Sequence, residues 1–328
     1  MNDTDTLIQV IAADDRRRAE RRRFLGIAAG ATLAAGLAAC SGSSDSTPTP
    51  TPTDTGTPTP TPTSTVALDV DYLNFALQLQ YLEAQYFAWA TTGAGVAASL
   101  LTGTGTQGAL TGGAQVTFTD TLLGQYAREI AAGELAHLGF LRSATGAAAA
   151  AQPAIDISSS ATGGFTKLAR AAGVVGPTAT FDPYASELNF LLGAFMVQDV
   201  VVSAYNGSIP SIVNLLYINA AADILATKSF HAAMIRAQLY ARGVSARTAT
   251  DNLSAARDAL DGPTDIDQGV TGDATTANIT PTDANGIVFG RTTGQTLNVL
   301  YTNHAAVVGG GFYPSGIIST YFNTSAAN

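Results

Sequence analysis

Glu134 and His137 in EIAAGELAHLGFL, and Lys228 and His231 in AADILATKSFHAAMIRAQLY, form two pairs of a charged residue and a histidine three positions apart. Each pair lies in a long stretch of apolar periodicity that reads as helix. Residues three apart share one face of a helix, so the two head groups of each pair can meet at one point. Two Glu-x-x-His pairs on facing helices are the core of a carboxylate-bridged di-metal site in a four-helix bundle. Here the second pair carries an ammonium where a carboxylate would bind. The chain therefore has the spacing of such a bundle and a change in its chemistry.

Four stretches have the length and periodicity of bundle helices: about 68–91, 116–143, 184–206 and 210–242. Asp69 or Asp71 can cap the first, Pro183 and Ser186 introduce the third, and Asn206-Gly207 is read as its end. A shorter helix is expected over 246–260 and another around 293–302. Residues 145–183 are long enough to cross over the length of a bundle. The tail from 262 to 328, rich in Thr, Asp, Gly and Asn, is expected to wrap it as irregular structure. The predicted class is all-α: two helix pairs joined by a long crossover, an additional short helix and a long irregular tail.

The N-terminus reads as an address. Arg21-Arg22-Arg23-Phe24-Leu25 resembles a twin-arginine export signal, and the apolar run Ile27–Ala39 is too short for a membrane span. Leu37-Ala38-Ala39-Cys40 resembles a bacterial lipobox, which makes 1–39 a signal peptide and Cys40 the lipidated residue. Cys40 is the only cysteine, so no disulfide can form within the chain. Ser41 after it, in place of Asp, points to the outer membrane in a cell that has one. Residues 40–66 form a Ser/Thr/Pro-rich stalk. Its alternating prolines favour extended polyproline II, able to reach roughly 60 Å at about 3.1 Å per residue. Residues 67–328 are then one large domain. From Cys40 onward ten Lys and Arg face twenty Asp and Glu, with no basic patch, so nucleic acid is not an expected partner. The expected location is an exported, periplasmic or cell-surface lipoprotein held to a membrane through Cys40. No sequence feature specifies a protein partner.

The words LNFALQLQYLEAQYF, EIAAGELAHLGFLR, LNFLLGAFMVQDVVVSAYNG, ILATKSFHAAMIR and GGGFYPSG, in that order, resemble the ferritin-like family that includes the desiccation-related proteins. The resemblance covers about 67–322 and implies a ferritin-like four-helix bundle. It also implies a metal site with one carboxylate from each of the first and third helices, and a Glu-x-x-His pair from each of the second and fourth. Carried onto this chain, Glu134, His137 and His231 keep their places. Lys228 replaces a carboxylate, Gln198 followed by Asp199 occupies the third-helix position, and Gln80 the first-helix one. Glu83, one turn further on, is an alternative there.

Two divalent cations need about four carboxylates for charge balance; neutral Gln at two places and a cationic Lys at a third work against it. The favoured expectation is a degenerate site without a cofactor, in which Lys228 neutralises Glu134 while Gln80 and Gln198 add amide hydrogen bonds. The alternative is a metal-bound centre, mononuclear or di-iron, with iron, manganese or zinc on Glu134, His137 and His231 and with Glu83 and Asp199 nearby. The first favours a non-enzymatic structural or stress-related role at the cell envelope. The second favours a metal-dependent oxidoreductase acting on oxygen or peroxide. His304 reads as a surface or structural residue, Tyr81, Tyr86, Phe87 and Trp89 as core, and GGGF with PSG as tight turns.

Overall fold

The computed structural model describes residues 65–328, so the export signal, Cys40 and nearly all of the stalk lie outside the described residues. Among these, seven α-helices follow in order: α1 Thr65–Thr92, α2 Thr121–Thr145, α3 Gly164–Ala171, α4 Glu187–Ser208, α5 Leu215–Ala241, α6 Val244–Asp261 and α7 Thr293–Tyr301. α1 packs along α2 and α4 along α5, and contacts between α1 and α4 and between α2 and α5 close the expected bundle.

The helix starts follow from local capping. Asp120 accepts hydrogen bonds from the Leu122 and Leu123 amides, Ser186 from Asn189, and Asn214 from Leu216. α2 therefore begins at Thr121 and not at 116. The intervening residues tie the bundle together: the Val116 amide donates to the Ala90 carbonyl, and the Glu187 carboxylate accepts from the Thr119 and Asp120 amides. α5 begins at Leu215 because Pro210 lies in a separate 3₁₀ turn, Ile209–Ser211.

The crossover is more structured than its composition implied. It contains α3 and the strand β2 (Ile155–Ile157), which pairs in parallel with β1 (Leu110–Gly112), Leu110 opposite Ile155. Three residues per strand and eight in α3 fall below the length at which periodicity is informative. Tertiary packing holds α3, with Phe165 wedged between Tyr86 and Phe312.

α4 is buried continuously from Phe190 to Tyr205. A helix that is apolar on every side belongs at the centre of a protein or in a membrane; the burial of this one makes it the central helix. Tyr86 and Phe87 of α1 stack around Phe190, and the Tyr86 hydroxyl donates to the Phe190 carbonyl at 2.8 Å. Tyr81, Tyr86 and Phe87 are core as expected, and Trp89 is half-buried.

The tail is clamped by three buried arginines. Arg236 of α5 donates to Asp199 at 2.7 Å and to the carbonyls of Gln268, Gly269 and Asn278. Arg257 of α6 donates to Asp267 at 2.6 Å and to the Phe195 carbonyl at 2.7 Å. Arg291 joins Asp261 at 2.7 Å, Asp267 at 2.9 Å and the Ser203 hydroxyl at 2.7 Å. Gly207 does not end α4, which runs on to Ser208. Its role is close approach: a Cβ there would lie 2.0 Å from the Arg291 carbonyl oxygen, so only glycine admits the tail backbone. GGGF forms a tight turn, with Gly311 at φ +51° and Gly310 bridged to Tyr313. His304 is exposed.

Candidate functional site

The helices bring five polar side chains from α1, α2 and α5 to one buried point. Gln80 and Glu83 project from α1, Glu134 from α2, and Lys228 and His231 from α5. The Lys228 ammonium lies between two carboxylates, 2.5 Å from Glu83 Oε2 and 2.6 Å from Glu134 Oε2. Gln80 Nε2 donates to Glu134 Oε2 at 2.5 Å and to the Glu134 carbonyl at 2.8 Å. His231 Nδ1 meets Glu134 Oε1 at 2.9 Å. Glu134 is thus bound on both oxygens.

Glu83, a secondary candidate by sequence, is a direct partner of Lys228, whereas Gln80 holds Glu134 in place. His137, on the same helix face as Glu134, stands further off, its Nδ1 3.8 Å from Glu134 Oε2 and without a hydrogen-bond partner.

Two of the sequence candidates do not join this network. Gln198 is fully buried, but neither its amide nitrogen nor its oxygen has a hydrogen-bond partner. Asp199, the next residue, points to Arg236 and belongs to the tail clamp. Successive residues on a helix diverge by about 100°, so 198 and 199 cannot face the same centre. Sequence reading missed Tyr205, whose ring lies 5.9 Å from Lys228 Nζ. Its spacing of seven from Gln198 places it on the same face of α4, a signal that was available. Gly133 was missed as well: a Cβ there would lie 3.0 Å from His231 Cε1, so its absence gives the ring room.

The charges divide unequally. Burial alone would raise the Glu134 carboxyl, but the Lys228 ammonium, together with the nearby His137 ring and the hydrogen-bonded His231, outweighs it and holds Glu134 well below the usual carboxylate range. Burial pushes Glu83 up to about 8, with the Glu134 charge adding to the rise and Lys228 only partly opposing it. Burial would lower Lys228, but the two carboxylates prevail and keep it above its ordinary value. Near neutral pH the centre therefore holds Glu134 as the anion, Lys228 as the cation and Glu83 mostly as the neutral acid.

A pH dependence follows. Glu83 titrates higher in the folded chain than in the unfolded one, so its stabilisation is complete below about pH 4.5 and is lost as pH rises through about 8. Asp258, raised to about 7 by burial and by its acidic neighbours Asp267, Asp261 and Asp265, acts in the same direction. Urea midpoints are expected to fall between about pH 5 and pH 8. Glu83→Gln should flatten that fall; an unchanged slope would place the responsible group elsewhere.

Access to the centre is narrow. Lys228, Glu83 and Glu134 are fully buried, whereas the His137 and His231 side chains are 15% and 8% exposed, respectively. Their rings lie 6.3 Å apart, tilted by 32°. As arranged, the acids and imidazoles do not converge on a cation: among the described residues, no group of three or more His, Cys, Asp or Glu side chains has the placement to hold a metal ion. The position between the two carboxylates is taken by Lys228 Nζ.

The bundle, its long crossover and this spacing of polar residues define a ferritin-like domain. Residues 68–241 match the ferritin-like domain family, and the chain belongs to it. It is 29% identical over 266 residues to the ferritin-like catalase Nec2 of Nesocodon mauritianus, across 76% of this chain and 83% of that protein. It is 28% identical over 200 residues to the desiccation-related protein PCC13-62 of Craterostigma plantagineum, across 58% of this chain and 62% of that one. No solved structure matches the chain at a significant level.

Proposed function

We propose that this is an exported, lipid-anchored ferritin-like protein whose ancestral di-metal centre has become a buried ion-pair network, serving a structural or stress-related role at the cell envelope. The observation that carries the reading is the position of Lys228, bonded to Glu83 and Glu134 at 2.5 and 2.6 Å in a fully buried setting. An ammonium has no lone pair to give a metal, and at about 4 Å it would repel a cation by several kcal/mol at an intermediate dielectric. Export and lipidation rest on the twin-arginine-like run and on Cys40.

Metal analysis of protein made in cells supplied with iron, manganese and zinc tests the centre. Far less than one equivalent per chain is expected, and one or more equivalents overturns the reading. In the reverse direction, joint Gln80→Glu, Gln198→Glu and Lys228→Glu replacement should restore metal uptake.

A second reading has its own support. His137 Nδ1 is buried beside Glu134 without a partner, and one relative is named a catalase. A single iron, manganese or zinc ion on Glu134, His137 and His231 would make the protein a metal-dependent oxidoreductase acting on oxygen or peroxide. Peroxide consumption that requires bound metal and disappears in His137→Ala would establish it in place of the first.

A further inference from the structure

The end of the bundle where α1 begins exposes four large apolar side chains. Val213, Leu215, Leu216 and Tyr321 are 65%, 72%, 48% and 47% exposed there. Two acids in the first turns of α1 hold them in place. The Asp69 carboxylate accepts from the Val213 amide at 3.0 Å and the Asn214 amide at 2.7 Å. Asp71 accepts from the Tyr321 amide at 2.8 Å, the Thr320 amide at 3.1 Å and the Ser319 hydroxyl at 2.7 Å. The apolar side chains therefore stand on a fixed platform.

The segments that carry these side chains are also free of charged side chains. Residues 206–222 and 292–328, which supply the platform, contain no Asp, Glu, Lys or Arg, although the chain carries a net charge of −9. The only acids in the first turns of α1, Asp69 and Asp71, are buried against backbone amides. An exposed apolar group without neighbouring charge marks an interaction surface. A cationic patch would suit phosphate headgroups; an uncharged set of Val, Leu and Tyr suits the boundary between headgroups and acyl chains of a neutral bilayer.

We infer that this end seats on the membrane surface, with Val213, Leu215, Leu216 and Tyr321 dipping into the headgroup boundary of a neutral lipid bilayer. The inference rests on the lipid-anchor reading above, and the order of the chain supports this occupant: Cys40 precedes α1, whose Asp69 holds the Val213 and Asn214 amides of this face. Tethering raises the effective concentration of the face at the bilayer, so a contact of four side chains suffices to orient the domain.

Cys40 is the chain's only cysteine, which gives a clean test. In the processed lipoprotein, Leu215→Cys would carry a polarity-sensitive dye and be reconstituted on phosphatidylcholine vesicles. Phe230→Cys, on the same helix about 22 Å away and 74% exposed, serves as control. The expected result is a blue shift and several-fold protection from aqueous iodide at 215, with none at 230. A dye at 215 that stays fully quenchable on vesicles that retain the protein overturns the seating and leaves the anchor reading standing. Protein that fails to remain on vesicles overturns both. Shielding at 215 before vesicles are added, with a doubled mass in solution, would make the face a contact between two copies and overturn the inference.

Discussion

Lys228→Met is expected to lower the unfolding free energy by about 3–5 kcal/mol, because it leaves the buried acids Glu83 and Glu134 without their cation. For a domain of this size that corresponds to a fall in Tm of roughly 10 °C. Removing one partner of a buried pair is costly, whereas replacing the whole set with neutral groups of similar shape is close to neutral. Lys228→Met combined with Glu83→Gln and Glu134→Gln should therefore recover most of the loss. Thermal and urea unfolding of the three proteins checks this; a Lys228→Met variant as stable as the parent would show that the ammonium does not neutralise the centre.

Arg291→Met is expected to cost a similar amount, about 3–5 kcal/mol, at the other buried network. It removes the donor shared by Asp261, Asp267 and Ser203. Those contacts join the tail to α4 and α6, so limited proteolysis should cut between 262 and 291 before it cuts the bundle. Arg242→Ala gives the comparison. Arg242 meets Glu187 at 3.3 Å with 29% of its side chain exposed, and its loss should cost no more than about 1 kcal/mol. Equal effects at 242 and 291 would show that burial does not set the strength of these pairs.

The helices were legible because their signals are local. Apolar residues three and four apart marked all four bundle helices, and Ser186 announced the start of α4. The short elements of the crossover gave no such signal, since α3 and the two strands exist only through what they pack against. At the centre, the i,i+3 spacing identified Glu134 with His137 and Lys228 with His231. Gln198 and Asp199 could not be separated by spacing alone, and which of Gln80 and Glu83 meets the lysine depends on how α1 is rotated. The three arginines that hold the tail were missed altogether. Their partners lie 10 to 88 residues away, and no periodicity connects them.

The sequence alone determined that the chain forms a ferritin-like bundle and that a lysine stands among the positions at which the family's resemblance places metal ligands. Both are properties of spacing and residue type along single helices. Only the tertiary structure decided that Lys228 is shared between Glu83 and Glu134, that Asp199 turns away to Arg236, and that His137 is left without a partner. Those outcomes depend on the rotation and approach of helices distant in sequence, which the packing of the whole core sets.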